Sequence, residues 1–216
     1  YTGAAQTLPC TVLGYVFDNL NQEQAEQVFA FSNSAFNEIG WFYCTGDSTT
    51  IDSYVTYNYV EKAWAIGSLE RTAWDDAGAT SSVPLATATS SGTGYVYNHE
   101  TGYNDDGSPM TAFVETADFD IDDGEHFAFI RRLLPDVEFI GTNTAPEITY
   151  TLKSRSDATG TLSNQSSTVV TNSNNYGVSN VRARGRQMRV RIESTDSNNS
   201  WRLGDVRLDV RQDGRR

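Results

Sequence analysis

The residues most used in metal and redox chemistry are scarce in this chain. Its 216 residues include 2 Cys and 2 His. Cys10 and Cys44 stand far apart, with no Cys-x-x-Cys and no clustered His. That pattern excludes a zinc site. Spacing leaves open whether the two thiols pair, because a disulfide depends on geometry; buried free thiols in strands are the simpler reading. Lys and Met number 2 each against 11 Tyr, 10 Phe and 4 Trp, a balance that favours strands over helices. No apolar run approaches the roughly 20 residues of a membrane helix, so a soluble protein is expected. No basic segment followed by an apolar one opens the chain. It starts at Tyr1 instead of Met, which reads as a processed chain or a fragment. The length fits one large domain or two small ones with a real core.

Positive charge is missing from most of the chain. Through Ile130 there are 2 basic residues, Lys62 and Arg71, against 19 acidic ones, a net charge of −17. From Arg131 onward, 14 basic residues face 9 acidic ones, a net of +5, and the whole chain carries −12. The split reads either as an electrostatic division of labour or as solvated strand faces that keep an acidic protein soluble. A net-acidic chain is a poor wrapper of duplex DNA, where affinity rests on neutralised phosphates. It can still border DNA without gripping it.

What is abundant is strand grammar. Trp41-Phe42-Tyr43-Cys44 ends at a turn cluster, Gly46-Asp47-Ser48. Ile51 to Tyr59 alternates, with Val55, Tyr57 and Tyr59 on one face, and Trp64 to Gly67 forms a third short strand. Together they predict an antiparallel meander. Gly94 to Glu100, Val28 to Phe31 and Gly14 to Phe17 are further strand candidates. Gln22 to Val28 is the one plausible helical turn, with Asn21 able to cap it; a solvent loop fits equally. Thr80 to Gly94 and Ser163 to Ser179 read as loops from composition, the second with a strand inside it from Thr168 to Thr171. In the second half, Ile148, Tyr150 and Leu152 share a face. Val181 and Ala183 oppose Arg182 and Arg184; past Gly185 the apolar set becomes Met188, Val190 and Ile192. A turn or bulge near Gly185-Arg186-Gln187 must absorb that change of parity. A second change follows Gly204-Asp205. The expected fold is all-β: β-propeller-like antiparallel blades over residues 1–110, then a β-sandwich over residues 111–216.

Motifs for chemistry are mostly absent. There is no G-x-S-x-G, and His99 and His126 sit in ordinary strand contexts. With 28 acidic residues, some carboxylate pair is inevitable and points to no glycosidase. No G-x-G-x-x-G or P-loop supports nucleotide binding. Asp118, Asp120 and Asp122 alternate as Ca²⁺ ligands can. An EF-hand starting at Asp118 nevertheless puts Asp123 where Gly is needed and Phe129 where the bidentate Glu belongs. The simpler reading is a strand with one acidic face, Phe119 and Ile121 inward, and a turn at Asp123-Gly124. No enzyme activity, cofactor or metal is expected.

The arginine series Arg182, Arg184, Arg186, Arg189 and Arg191, continuing through Arg202 and Arg207 to Arg216, has two readings. Cross-strand ion pairs with Asp205, Asp209 and Asp213 are one. An intersubunit interface carried by Arg184, Arg186, Arg189, Arg191 and Arg207 is the other.

An ordered set of strings carries a resemblance. Val28-Phe29-Ala30-Phe31-Ser32-Asn33 is followed by Glu38-Ile39-Gly40-Trp41-Phe42-Tyr43, then Tyr57-Asn58-Tyr59 with Trp64 and Gly67. Arg71-Thr72-Ala73-Trp74 and Tyr97-Asn98-His99-Glu100-Thr101-Gly102 come next. Arg131-Arg132-Leu133-Leu134-Pro135-Asp136, Arg184-Gly185-Arg186-Gln187-Met188 and Trp201-Arg202-Leu203-Gly204, running to Asp213-Gly214-Arg215-Arg216, complete it. From Gly14 onward the chain resembles the C-terminal part of the tail nozzle or hub proteins of short-tailed bacteriophages, also called packaged-DNA stabilisation proteins. Cys44 stands where that family's pattern would have Pro.

The resemblance implies a virion protein, assembled in the host cytoplasm into a ring of six copies beneath the portal and adaptor. Tail fibres or spikes are implied neighbours. The ring would retain packaged double-stranded DNA and conduct it during ejection, without sequence-specific binding and without catalytic residues. An acidic wall suits such a channel, because carboxylates repel phosphates and let DNA slide. The alternative is a carbohydrate-binding or receptor-binding adhesin module, whose exposed Trp and Tyr would stack on sugars.

Overall fold

Alternating side chains and tight turns build a chain that is mostly β, in antiparallel sheets, as the composition predicts. The computed structural model describes residues 3–5, 7–122, 124–157, 159–174 and 176–215. It divides into two compact units, Tyr1–Thr101 and Gly102–Arg216. Among the described residues no sheet closes on itself, and no helix is long and apolar enough to cross a membrane.

The first unit opens with a helix, α1 (Leu13–Asn19), and a 3-10 turn at Gln22–Gln27. The predicted strand at Gly14 to Phe17 is therefore corrected to helix. Among the described residues no strand pairs with this segment, so its backbone satisfies itself, as in the 3.0 Å bond from the Val16 amide to the Val12 carbonyl. Asn21 caps the 3-10 turn as expected, its side chain accepting from the Glu23 amide at 3.0 Å. Four strands follow: β1 (Phe29–Asn33), β2 (Glu38–Tyr43), β3 (Ser53–Asn58) and β4 (Ala63–Ser68), paired in sequence order. β2 to β4 are the predicted three-strand meander, and β1, at the separate candidate Val28 to Phe31, extends it by one strand. The register sets Gly40 opposite Phe31 and Thr56. A Cβ at Gly40 would lie 2.5 Å from the Phe31 ring and 2.8 Å from the Val55 carbonyl oxygen, so only glycine fits there.

A second sheet holds β5 (Ala73–Asp75), β6 (Leu85–Ser90) and β7 (Thr93–Asn98). β6 occupies part of the segment read as a loop. Its inward residues are Ala86 and Ala88, both buried, and small side chains gave the alternation no visible amplitude. The unit's core is aromatic. Phe42, Cys44 and Ile51 are buried, with Phe29, Phe31, Tyr54 and Trp74 packed on them. Ring centroids lie 4.6 Å apart for Phe31 and Phe42 and 4.9 Å apart for Phe31 and Trp74.

The second unit begins with the hairpin β8 (Asn104–Asp105) and β9 (Ser108–Pro109), turned by Asp106 and Gly107, both at positive φ. The remaining strands are β10 (Ala112–Glu115), β11 (His126–Leu134), β12 (Val137–Gly141), β13 (Glu147–Arg155), β14 (Ser163–Thr171), β15 (Ser179–Gly185), β16 (Gln187–Ser194), β17 (Asn199–Leu203) and β18 (Arg207–Arg215). One sheet runs β10-β16-β13-β14 and another β15-β11-β18, while β12 and β17 form a ribbon. Both larger sheets feed one buried cluster: Ile130, Leu133, Val181 and Ala183 from one, and Tyr150, Leu152, Met188, Val190 and Ile192 from the other. β14 is longer than the predicted Thr168 to Thr171. Its first half is a polar run hydrogen-bonded to β13, which composition reads as loop.

The parity changes have a cause other than a turn or bulge within one sheet. At Gly185 the chain leaves β15, which pairs with β11, and enters β16, which pairs with β10 and β13. The apolar set switches parity because the chain crosses from one sheet to the other around Arg186. The change after Gly204 is the same device: β17 pairs with β12, and β18 with β11.

Candidate functional site

The predicted interface arginines fall in three places within the second unit. Arg189 and Arg191 alternate outward on β16, where their neighbours are Glu115 on β10 and Lys153 and Arg155 on β13. Glu115 is the hub. It accepts from Lys153 Nζ at 2.8 Å, Arg189 at 2.9 Å and Arg191 at 3.3 Å. Arg189 also donates to Asp118 at 2.9 Å, Arg191 donates to Glu193 at 2.9 Å, and Arg155 pairs with Asp118. Burial pushes the Glu115 carboxyl upward, but the hydrogen bonds from Lys153, Arg189 and Arg191 outweigh it and hold the pKa at about 2. Arg189 and Arg191 are thus engaged by acids of their own unit, as an ion-pair reading expects, but the partners are Glu115, Asp118 and Glu193, not the expected Asp205, Asp209 and Asp213.

Arg184 and Arg186 flank the Phe127 ring, at 4.1 Å and 5.7 Å from its centroid. Arg184 also pairs with Asp213 at 2.6 Å, whereas the buried Arg186 Nε has no acceptor among the described residues. Arg207 lies apart from these, bonded to Asp136 at 3.2 Å and to Asp205 at 2.9 Å. The structure therefore does not gather the five arginines into one patch.

A basic surface that sequence reasoning missed lies on the outer face of β15, β11 and β18. Strand alternation should send Arg131 and Arg132 to opposite faces. A register shift between Ile130 and Arg132, present toward both neighbouring strands, breaks that alternation. Both guanidiniums then reach the same oxygen of Asp209: Arg131 at 2.9 Å, and Arg132 through Nε and Nη2 at 2.9 and 2.8 Å. Arg211 approaches the other oxygen at 3.9 Å. Hydrogen bonds from Arg131 and Arg132 lower the Asp209 pKa. Arg182, exposed on β15, has no acidic partner among the described residues. Three guanidiniums thus share one carboxylate, and Arg182 beside them has none. Arg131, Arg132 and Arg182 line an open groove of about 820 Å³ together with Phe129, Asn180 and Ser166. Arg182 and Asp209 already stood in the arginine series and its expected ion pairs, but the bulge that brings Arg131 and Arg132 to them is not legible in an alternation pattern.

The remaining candidates are embedded in structure. His99 accepts from Arg71 Nε at 2.8 Å and packs on Trp74 with ring centroids 4.7 Å apart. Arg71 is buried and also lies 4.4 Å from the Tyr97 ring centroid. His126 opens β11, with Arg215 as its register partner on β18. Cys10 and Cys44 are both free, Cys44 fully buried. Asp118 is held by arginines, Asp122 accepts from Gln212, and Phe119 and Ile121 pack inward as expected, but the segment is not the expected strand: Phe119 makes only an isolated bridge to Met188. Among the described residues, no three His, Cys, Asp or Glu side chains converge as metal ligands. Asp123, in the expected turn, and Arg216, at the end of the arginine series, lie outside the described residues. No protein-family model matches the chain, and no curated protein matches it.

Proposed function

We propose that this chain is a structural component of a short phage tail, a nozzle or hub that closes into a ring, retains packaged DNA and conducts it during ejection. In this reading the β1–β4 meander serves as a propeller blade and the second unit as a β-sandwich. Portal, adaptor and fibre or spike proteins are its neighbours in the virion. The observation that carries the reading is the separation of charge. The first unit holds 11 acidic residues against Lys62 and Arg71, and Arg71 is buried beside His99. Such a surface repels phosphate and lets duplex DNA pass instead of holding it. The second unit carries the arginines, which suit contact with a neighbouring acidic surface. A ring of identical chains needs two different surfaces that close by rotation; the first unit, at net −9, and the second, nearly balanced with 14 basic against 17 acidic residues, supply surfaces of different charge character.

The adhesin alternative gains no comparable support. The Trp64 and Trp74 indoles donate to the carbonyls of Pro9 and Ser32, both at 2.8 Å, and Trp201 packs against the core. None of these three is a free stacking platform. Negative-stain images of the full chain with its adaptor are expected to show a closed ring with six-fold symmetry. A strictly monomeric protein that never enters virions would overturn the reading.

A further inference from the structure

Two surfaces in this chain, one on each unit, are unsatisfied in complementary ways. The first is the groove on β15 and β11. Arg131, Arg132, Arg182 and the nearby Arg211 leave a cationic surplus around Asp209, and Phe129 gives the groove an apolar wall. The second is the segment from α1 through the 3-10 turn. It is pinned to the β2–β3 loop by bonds from the Asn21 amide to the Cys44 carbonyl at 2.9 Å and from the Gly46 amide to the Asn19 carbonyl at 2.8 Å. The pinned segment carries Asp18, Glu23 and Glu26, and the loop it is pinned to carries Asp47. All four are exposed, and none has a basic partner among the described residues.

The same segment exposes apolar side chains that a solvated helix does not need. α1 buries no residue, and Leu13, Tyr15 and Phe17 are 54%, 55% and 60% exposed. A short helix without a buried face gains little from propensity and depends on packing for stability. Acids interleaved with aromatic and aliphatic groups match a basic groove that carries a phenylalanine.

We propose that the groove of Arg131, Arg132 and Arg182 receives the acidic α1 and 3-10 segment of a second copy of this chain. The contact is head-to-tail: each copy offers its groove to one neighbour and its segment to the other, which is the geometry that closes rings. It rests on the ring reading above and replaces Arg189 and Arg191, each held by two carboxylates, with Arg182, which has no acidic partner among the described residues, and with Arg131 and Arg132, which share the single carboxylate of Asp209. Duplex DNA is the rival occupant. Two features disfavour it: the apolar helix has no role against a phosphate backbone, and the chain's net charge is −12.

Charge reversal at exposed positions tests this without threatening the fold. Arg182→Glu alters a guanidinium that has no internal partner, and Glu23→Lys with Glu26→Lys alters two exposed carboxylates. Circular dichroism checks folding, and sedimentation velocity across ionic strength reads assembly. Each set alone should weaken association roughly tenfold or more, and the wild-type assembly should weaken with salt. All three substitutions in one chain should restore association, because the contact pairs one surface with the other. Assembly of Arg182→Glu equal to wild type overturns the groove inference and leaves the ring reading standing. Failure of the triple variant to regain association overturns the pairing of these two surfaces. Unchanged assembly with lost binding of a short duplex DNA makes the groove a phosphate site and refutes the proposal. A wild-type chain that stays monomeric removes the ring reading, and the inference with it.

Discussion

Glu115 stabilises the second unit through three cations that converge on one carboxylate, so its effect depends on pH in a definite direction. Its folded pKa of about 2 lies below the ordinary value of 4.5. The stabilisation is complete above about pH 4.5 and is lost as pH falls toward 2. Its size is on the order of 2 kcal/mol for a carboxylate this enclosed. Glu115→Gln should remove that amount at neutral pH and flatten the acid limb of a urea-denaturation series; an unchanged acid limb would show that the network contributes nothing. Glu38 has the opposite sign. Burial, with the Glu100 carboxylate second, raises its pKa above 4.5. Its contribution to the first unit therefore declines as pH rises just above that value, and Glu38→Gln should remove the decline. Core packing gives a pH-independent control. Ile130 has 0% exposure, so Ile130→Ala should cost about 2–5 kcal/mol at every pH where the unit folds. A cost below 1 kcal/mol in urea melts would mean that the two sheets do not share a tight core.

At the scale of elements, the strands with large alternating side chains were legible and the others were not. β3, β4, β13 and β16 follow directly from Val55 and Tyr57, Trp64 and Ile66, Ile148 to Leu152, and Met188 to Ile192. β6 was hidden because its inward residues are alanines, and the start of β14 because a polar edge strand has the composition of a loop. α1 was misread because Tyr15, Val16 and Phe17 carry strand propensity, while the absence of a pairing partner decides the backbone. The two parity changes were visible at Gly185 and Gly204, but periodicity cannot tell a bulge from a step between sheets. The reverse happened at Arg131, where a real bulge assembled the groove and left no pattern to find. The β12–β17 ribbon shows how partial burial sets energetics. Trp201 lies opposite Phe139 and is only partly buried where it packs against the core. Trp201→Ala should cost about 2 kcal/mol, less than the roughly 3–5 kcal/mol of a fully enclosed aromatic. A thermal melt indistinguishable from wild type would detach the ribbon from the core's cooperative unit.

For the whole molecule, the central feature is that charge is divided between two units and balanced within only one of them. The second unit satisfies many of its arginines internally, through Glu115, Asp118, Glu193, Asp209 and Asp213. The first unit leaves exposed carboxylates without cations, and the second keeps Arg182 without an acid. In the proposed ring of identical chains, that imbalance would serve partner choice and leave the remaining acidic surface to face DNA. The measurement that bears most directly on this account is the mass of the assembled wild-type protein by native mass spectrometry, in the presence of adaptor and at rising ionic strength. A closed ring of six copies that dissociates as salt screens the contact between units of neighbouring copies is expected. A monomer at every concentration, or a ring indifferent to salt, would contradict it.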